Sequence, residues 1–172
     1  MSPFVKNWAV VVPAVGVVIA VSAPLVRYAA RERNERTAIM LVTQVHRAQL
    51  ALRSQAGGFA TDVNSLLMPC PGNAALLGSA AIEELARSDY RLELRAAAGA
   101  RVDMVDCNGR PLATDYFVTA TPVAPTSAGR QAVAGRSDGR VYLFYDGLAP
   151  REIDIDRGLA TPVAARDTFK IP

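Results

Sequence analysis

Residues 38–58 read AIMLVTQVHRAQLALRSQAGG, and how this stretch folds decides the rest of the chain. Ala38, Leu41, Val42, Val45, Ala48 and Leu52 recur at the three- and four-residue spacing of one helical face. Arg33, Gln44, Arg47 and Gln55 fall mainly on other faces. Residues 27–55 contain neither Pro nor Gly, and Gly57 with Gly58 supplies the stop that ends many helices. A helix with so narrow an apolar stripe must bury it against a later part of the chain.

Towards the amino terminus the same helical pattern meets residues 8–26, WAVVVPAVGVVIAVSAPLV, and no residue from Asn7 to Val26 is charged. At roughly 1.5 Å per residue this run crosses a hydrocarbon core of about 30 Å as one helix. Trp8 and Tyr28 stand at its ends, where aromatic side chains anchor spans at the water interfaces. A cleaved signal peptide is the alternative, with Val21, Ser22 and Ala23 imitating a cleavage site. Pro24 would then be the first mature residue, which is unfavourable for cleavage, so a retained anchor is the expectation. Pro13 and Pro24 predict local kinks. Gly16 and Ala20 form a small-xxx-small pair that lets another helix approach closely. Pro13, Gly16, Ala20 and Pro24 are therefore the expected helix-packing positions. One helix from residue 8 to residue 55 is roughly 70 Å long.

The formal net charge of +3 is unevenly placed. Residues 1–56 hold seven basic and two acidic side chains, whereas residues 57–172 hold twelve basic and fourteen acidic ones. A nucleic-acid partner needs a basic face on the water-soluble part, and here that part is mildly acidic. The excess sits beside the apolar run, at Arg27, Arg31, Arg33 and Arg36. Counted by Lys and Arg alone, this excess places the C-terminal part in the cytoplasm. The two cysteines point instead to an exported, oxidising location, and the expectation here is an exported C-terminal part.

Thr61 and Asp62 read as caps for a short helical turn through Leu67, and Ser79 as the cap of a helix over residues 80–87. Strands follow. Residues 90–95 (YRLELR) alternate strictly, residues 101–105 are their expected partner across a Gly99 turn, and residues 115–121 (DYFVTAT) are the strongest β run. Residues 140–145 (RVYLFY) follow an Asp138-Gly139 turn, and residues 122–127 read as a Pro-rich loop. Helices precede strands instead of alternating with them, so the fold class expected is α+β. A long amino-terminal helix, transmembrane then amphipathic, packs on a small antiparallel sheet.

Cys70 lies in a Pro-Cys-Pro-Gly loop and Cys107 in a Cys-Asn-Gly turn. A disulfide between these turn positions breaks no ladder and is the expected state, with two free thiols as the alternative. Two Cys and one His are too few for a structural zinc site. His46, beside Val45 and Arg47, has neither a nucleophile nor an orienting partner among its sequence neighbours, and a structural role is expected. Asp154, Asp156 and Gly158 resemble a fragment of a calcium loop but lack its distal Glu and its spacing. The alternation over residues 152–156 predicts an exposed edge strand instead. Gly129, Gly135 and Gly139 form no phosphate-binding fingerprint. No catalytic residue, cofactor site or metal site is expected, and no small-molecule substrate is identified.

Residues 34–148 resemble a type IV pilin or type II secretion pseudopilin. Asn34-Glu35, the stripe, residues 51–67 (ALRSQAGGFATDVNSLL) and residues 115–147 (DYFVTATPVAPTSAGRQAVAGRSDGRVYLFYDG) are similar to the helix end, first loop, strand, Thr-Pro loop and Asp-Gly hairpin of such heads. The prepilin peptidase motif is absent: residues 1–8 (MSPFVKNW) hold no Gly, and no acidic residue precedes Glu32.

The resemblance implies residues 1–56 as a transmembrane and juxtamembrane long helix and residues 57–172 as a pilin-like α+β periplasmic head. It implies a non-catalytic, single-pass structural subunit of a bacterial inner-membrane assembly, of pilus or pseudopilus type. The expected partners are copies of itself or other membrane-protein subunits, together with the lipid bilayer. The alternative function is an unprocessed accessory subunit of a larger inner-membrane complex, for example a respiratory or photosynthetic one. There its helix would dock in the membrane and its head would cover the periplasmic face. Leu41, Val45 and Leu52 are the expected head-packing stripe, and Cys70 with Cys107 the closure of the head.

Overall fold

The structure is a computed structural model that describes residues 4–68, 70–124 and 131–163, with side chains described from residue 26 onward. Its dominant element is α1, a single helix over Phe4–Ala56. Gly57 ends it in a left-handed conformation (φ 82°), its N–H donating to Arg53 O at 2.9 Å. The helical assignment is unbroken through Pro13 and Pro24. Among the described residues no helix is long and apolar enough to cross a membrane. The side chains of residues 8–25, Pro13, Gly16, Ala20 and Pro24 among them, lie outside the described residues.

After α1 come β1 (Phe59–Ala60), α2 (Asn64–Leu67), α3 (Ser79–Arg87), β2 (Tyr90–Ala96), β3 (Met104–Val105) and β4 (Pro111–Ala113). The chain continues through β5 (Tyr116–Pro122), β6 (Ala132–Arg136), β7 (Val141–Phe144), α4 (Glu152–Asp156) and β8 (Thr161–Pro162). Two antiparallel sheets result, a small one in the order β1-β4-β3 and a larger one in the order β2-β5-β6-β7-β8. The architecture is α+β, with helices before strands.

The larger sheet alternates its side chains between two faces, as strands must. Val118, Ala120, Val133 and Val141 join the α1 stripe, Tyr90 and Leu94 in the main core. Phe117, Ala132, Ala134, Tyr142 and Phe144 face the other way and form a second, smaller core with Ile155 of α4.

Five local expectations are corrected. Residues 101–105 do not pair with β2 across Gly99. Arg101 instead exchanges hydrogen bonds with Thr114, and Met104–Val105 pairs with β4, while β2 pairs along its length with β5. Residues 152–156 form a helix, not an edge strand. Ile155 is buried under the sheet, and Arg151 grips Asp154 one helical turn on, with Nε and Nη2 each 2.9 Å from a carboxylate oxygen. Ser79 is the first residue of α3 and makes no capping bond; Gly78 stands at that position. Thr61 donates to Pro111 O at 3.2 Å instead of capping, and Asp62 alone accepts the Ser65 N–H, at 3.1 Å. Of the expected loop over residues 122–127, Pro122 is the last residue of β5, and residues 125–127 lie outside the described residues.

Candidate functional site

The candidate site is α1 itself, seen as two lengths with different surroundings. From Thr37 to Leu52 the helix lies on the sheet, and Ala38, Leu41, Val42, Val45, Ala48 and Leu52 are all buried. The approach is close because β6 carries Gly135 opposite Val42. A Cβ there would stand 2.8 Å from Val42 Cγ1 and 3.2 Å from Val118 Cγ1.

Two polar side chains on the same length tie it to the head. Gln49 is fully buried and holds both backbone groups of Ala60, its Nε2 donating to Ala60 O at 2.9 Å and its Oε1 accepting from Ala60 N at 2.8 Å. The amide thus acts as one rung of a strand and fixes β1 against the helix. His46 Nδ1 lies 2.5 Å from the Tyr116 hydroxyl, and the His46 Nε2 side faces the β6–β7 turn at Gly139. Burial pulls the His46 pKa below 6.5, with Asp138 opposing and Arg47 adding to the shift. Burial first, then Asp115 and Asp138, pushes the Tyr116 phenol well above its usual range. Both groups are therefore neutral at pH 7. The neutral pair satisfies the hydrogen bond in either tautomer, with Tyr116 donating to Nδ1 or Nδ1–H donating to the Tyr116 hydroxyl oxygen.

Below Thr37 the surroundings change. Val26 and Tyr28 are 67% and 69% exposed, and Arg27, Arg33 and Arg36 are exposed as well. Arg36 pairs with Glu32 at 2.6 Å on the helix surface. Glu35 marks the level of the head's lower rim, close enough to Tyr90 to add to the burial that raises its phenol pKa. Residues 26–30, Glu32, Arg33 and Arg36 are thus exposed, and only Arg31, Asn34 and Glu35 of this length are half-buried.

The loops at the other end of the head are cross-linked. Cys70 and Cys107 form a disulfide with their Cα atoms 5.8 Å apart. Arg110 reinforces it, donating from Nη1 to Asn64 O at 2.7 Å. Asp106, buried at the turn, accepts the Asn108 and Arg110 N–H groups, each at 2.8 Å.

Comparison of the chain with protein-family models, curated proteins and solved structures finds no match.

The structure brings Leu41, Val45 and Leu52 into one core and Cys70 to Cys107; Pro13, Gly16, Ala20 and Pro24 stay outside the described side chains. Asp154 and Asp156 do not converge as ligands, because each is engaged by a different arginine, Arg151 and Arg136. Among the described residues no group of three or more His, Cys, Asp or Glu side chains is disposed to hold a metal ion. Sequence reasoning missed Gln49, whose signal was a polar residue at stripe spacing, four after Val45 and three before Leu52. It also missed Tyr116 as the partner of His46, which no local pattern signals across seventy residues.

Proposed function

We propose that this chain is a non-catalytic structural subunit, a single-span membrane protein whose pilin-like exported head belongs to a membrane-anchored assembly of the pilus or secretion-pseudopilus type. The observation that carries this is the division of α1. One continuous helix buries a face in the head from Thr37 upward and is mostly exposed over residues 26–36, next to an uncharged run over residues 8–26. A helix apolar all round is buried in protein or in lipid, and residues 8–26 supply a run of that kind. The Cys70–Cys107 disulfide supports an oxidising location for the head, here the bacterial periplasm.

A second reading makes the chain an unprocessed accessory subunit of a larger inner-membrane complex. It is favoured by the absence of any acidic residue within residues 8–26, where a pilin carries the Glu used in filament assembly. Anatomy and location are the same in both; the partners differ, other membrane subunits in place of copies of this chain.

The test is fractionation of membranes from cells making the full chain, followed by protease treatment of intact spheroplasts. The chain is expected to stay with carbonate-washed membranes, and its head to be digested from outside. Recovery in the aqueous fraction, or a head protected until the cells are opened, contradicts the proposal.

A further inference from the structure

We infer that the arginines just below the head form a binding surface for the phosphate headgroups of anionic phospholipid, on the side of α1 over which the head stands. The inference rests on the membrane-anchored reading above.

The helix geometry places the charges. Arg31, Ala38, Val45 and Leu52 follow one another at intervals of seven, two helical turns, and therefore share a face. Ala38, Val45 and Leu52 are buried under the sheet, so Arg31, half-buried, lies on the side of the helix that carries the head, with the exposed Arg27 one turn below it. Arg33 and Arg36 occupy the opposite side. Residues 27–36 hold four arginines against Glu32 and Glu35, a surplus of positive charge on a short length of helix.

The heights match a headgroup layer. Arg27 follows the uncharged run directly, and Arg31 stands roughly 6 Å above it along the axis. A headgroup layer extends about 5–8 Å beyond the hydrocarbon on each side of a bilayer. Both arginines therefore stand at the level of the phosphates, whereas Glu35, at the head's rim, is roughly 12 Å above Arg27. Val26 and Tyr28, the latter suited to the interface, are exposed beside them. An acidic face of a partner protein offers the same charge complement, but the start of the arginines at the first residue after the apolar run favours lipid. Guanidinium groups bind phosphate through paired N–H donors.

The experiment uses the full chain, purified in an uncharged detergent and examined by native mass spectrometry with equal additions of phosphatidylglycerol and phosphatidylcholine. Each arginine near an anionic surface is worth about a fivefold preference. The wild type should therefore retain phosphatidylglycerol over phosphatidylcholine by at least about fivefold, and millimolar inorganic phosphate should not compete. The double variant Arg27→Gln, Arg31→Gln should lose most of that preference while its head unfolds at the wild-type temperature. Arg91→Gln, on an exposed strand position, should keep it. Equal retention of the two lipids, a preference that survives the double variant, or displacement by free phosphate would each overturn the inference. So would loss of a copurifying acidic protein, in place of lipid, from the double variant. A chain that never enters the membrane fraction sinks the anchored reading itself, whereas insertion without lipid preference sinks only this surface.

Discussion

Gln49 and Ala60 are joined by a reciprocal pair of hydrogen bonds, 2.9 Å from Gln49 Nε2 to Ala60 O and 2.8 Å from Ala60 N to Gln49 Oε1, with both residues fully buried. A side-chain amide thus replaces a neighbouring strand for β1. It fixes where the chain re-enters the head after Gly57, and so sets how the first loop and the small sheet dock on α1.

Gln49→Leu preserves volume but leaves the buried Ala60 N–H and C=O without partners. The head should lose about 2–6 kcal/mol, since each of the two orphaned groups costs about 1–3 kcal/mol. Gln49→Glu should be destabilised at neutral pH, where a carboxylate cannot donate to Ala60 O, and should recover partly in acid, where the protonated form can. Urea unfolding followed at several pH values checks both, and a neutral Gln49→Leu would show the clamp to be dispensable.

His46 should make the head acid-sensitive. Its folded-state pKa is held below 6.5 by burial, so below about pH 6.5 the unfolded chain binds a proton that the folded chain refuses. Stability contributed by the neutral imidazole is complete above pH 6.5 and declines as the pH falls towards the folded-state value. His46→Gln should flatten that part of the stability-against-pH curve. An unchanged slope in the variant would mean that other groups set it.

Gly135 should resist enlargement. A Cβ at this position meets Val42 and Val118, and neither β-branched side chain can swing away. Gly135→Val should push α1 from the sheet and cost about 1–3 kcal/mol, as overpacked cores do. Combining it with Val42→Ala should recover part of the loss, and additive losses in the pair would contradict the contact.

Removing the disulfide should destabilise the head without changing its fold. Cys70 and Cys107 are 37 residues apart, and by chain entropy a loop of that size contributes about 4 kcal/mol at most. The double Ser variant should unfold at lower urea with the same circular dichroism before the transition. Equal midpoints would show that Arg110 and Asp106 hold these loops unaided.

The larger elements were legible because their patterns are long. The stripe from Ala38 to Leu52 spans four turns, and the β run at Tyr116–Pro122 puts Tyr116, Val118 and Ala120 in the main core and Phe117 in the second. Five residues at Glu152–Asp156 were too few to separate a strand period from a helix period. There the acidic first turn and the grip of Arg151 on Asp154 decided for helix. The strand Ala132–Arg136 carries no legible β pattern because its side chains must be small. Gly135 sits under Val42, and Ala132 and Ala134 pack in the second core. The His46–Tyr116 pair was invisible because it joins a helix to a strand seventy residues away. Cys70 and Cys107 were readable as partners only through the turns that hold them.

The most direct test of the central claim is native mass spectrometry of the particle extracted from membranes with mild detergent. The account predicts the full chain, disulfide closed and residues 8–26 retained, in fixed stoichiometry with membrane-spanning partners. Copies of itself indicate a filament subunit, and other subunits an accessory one. A lone chain recovered without detergent, lacking any partner, would contradict it.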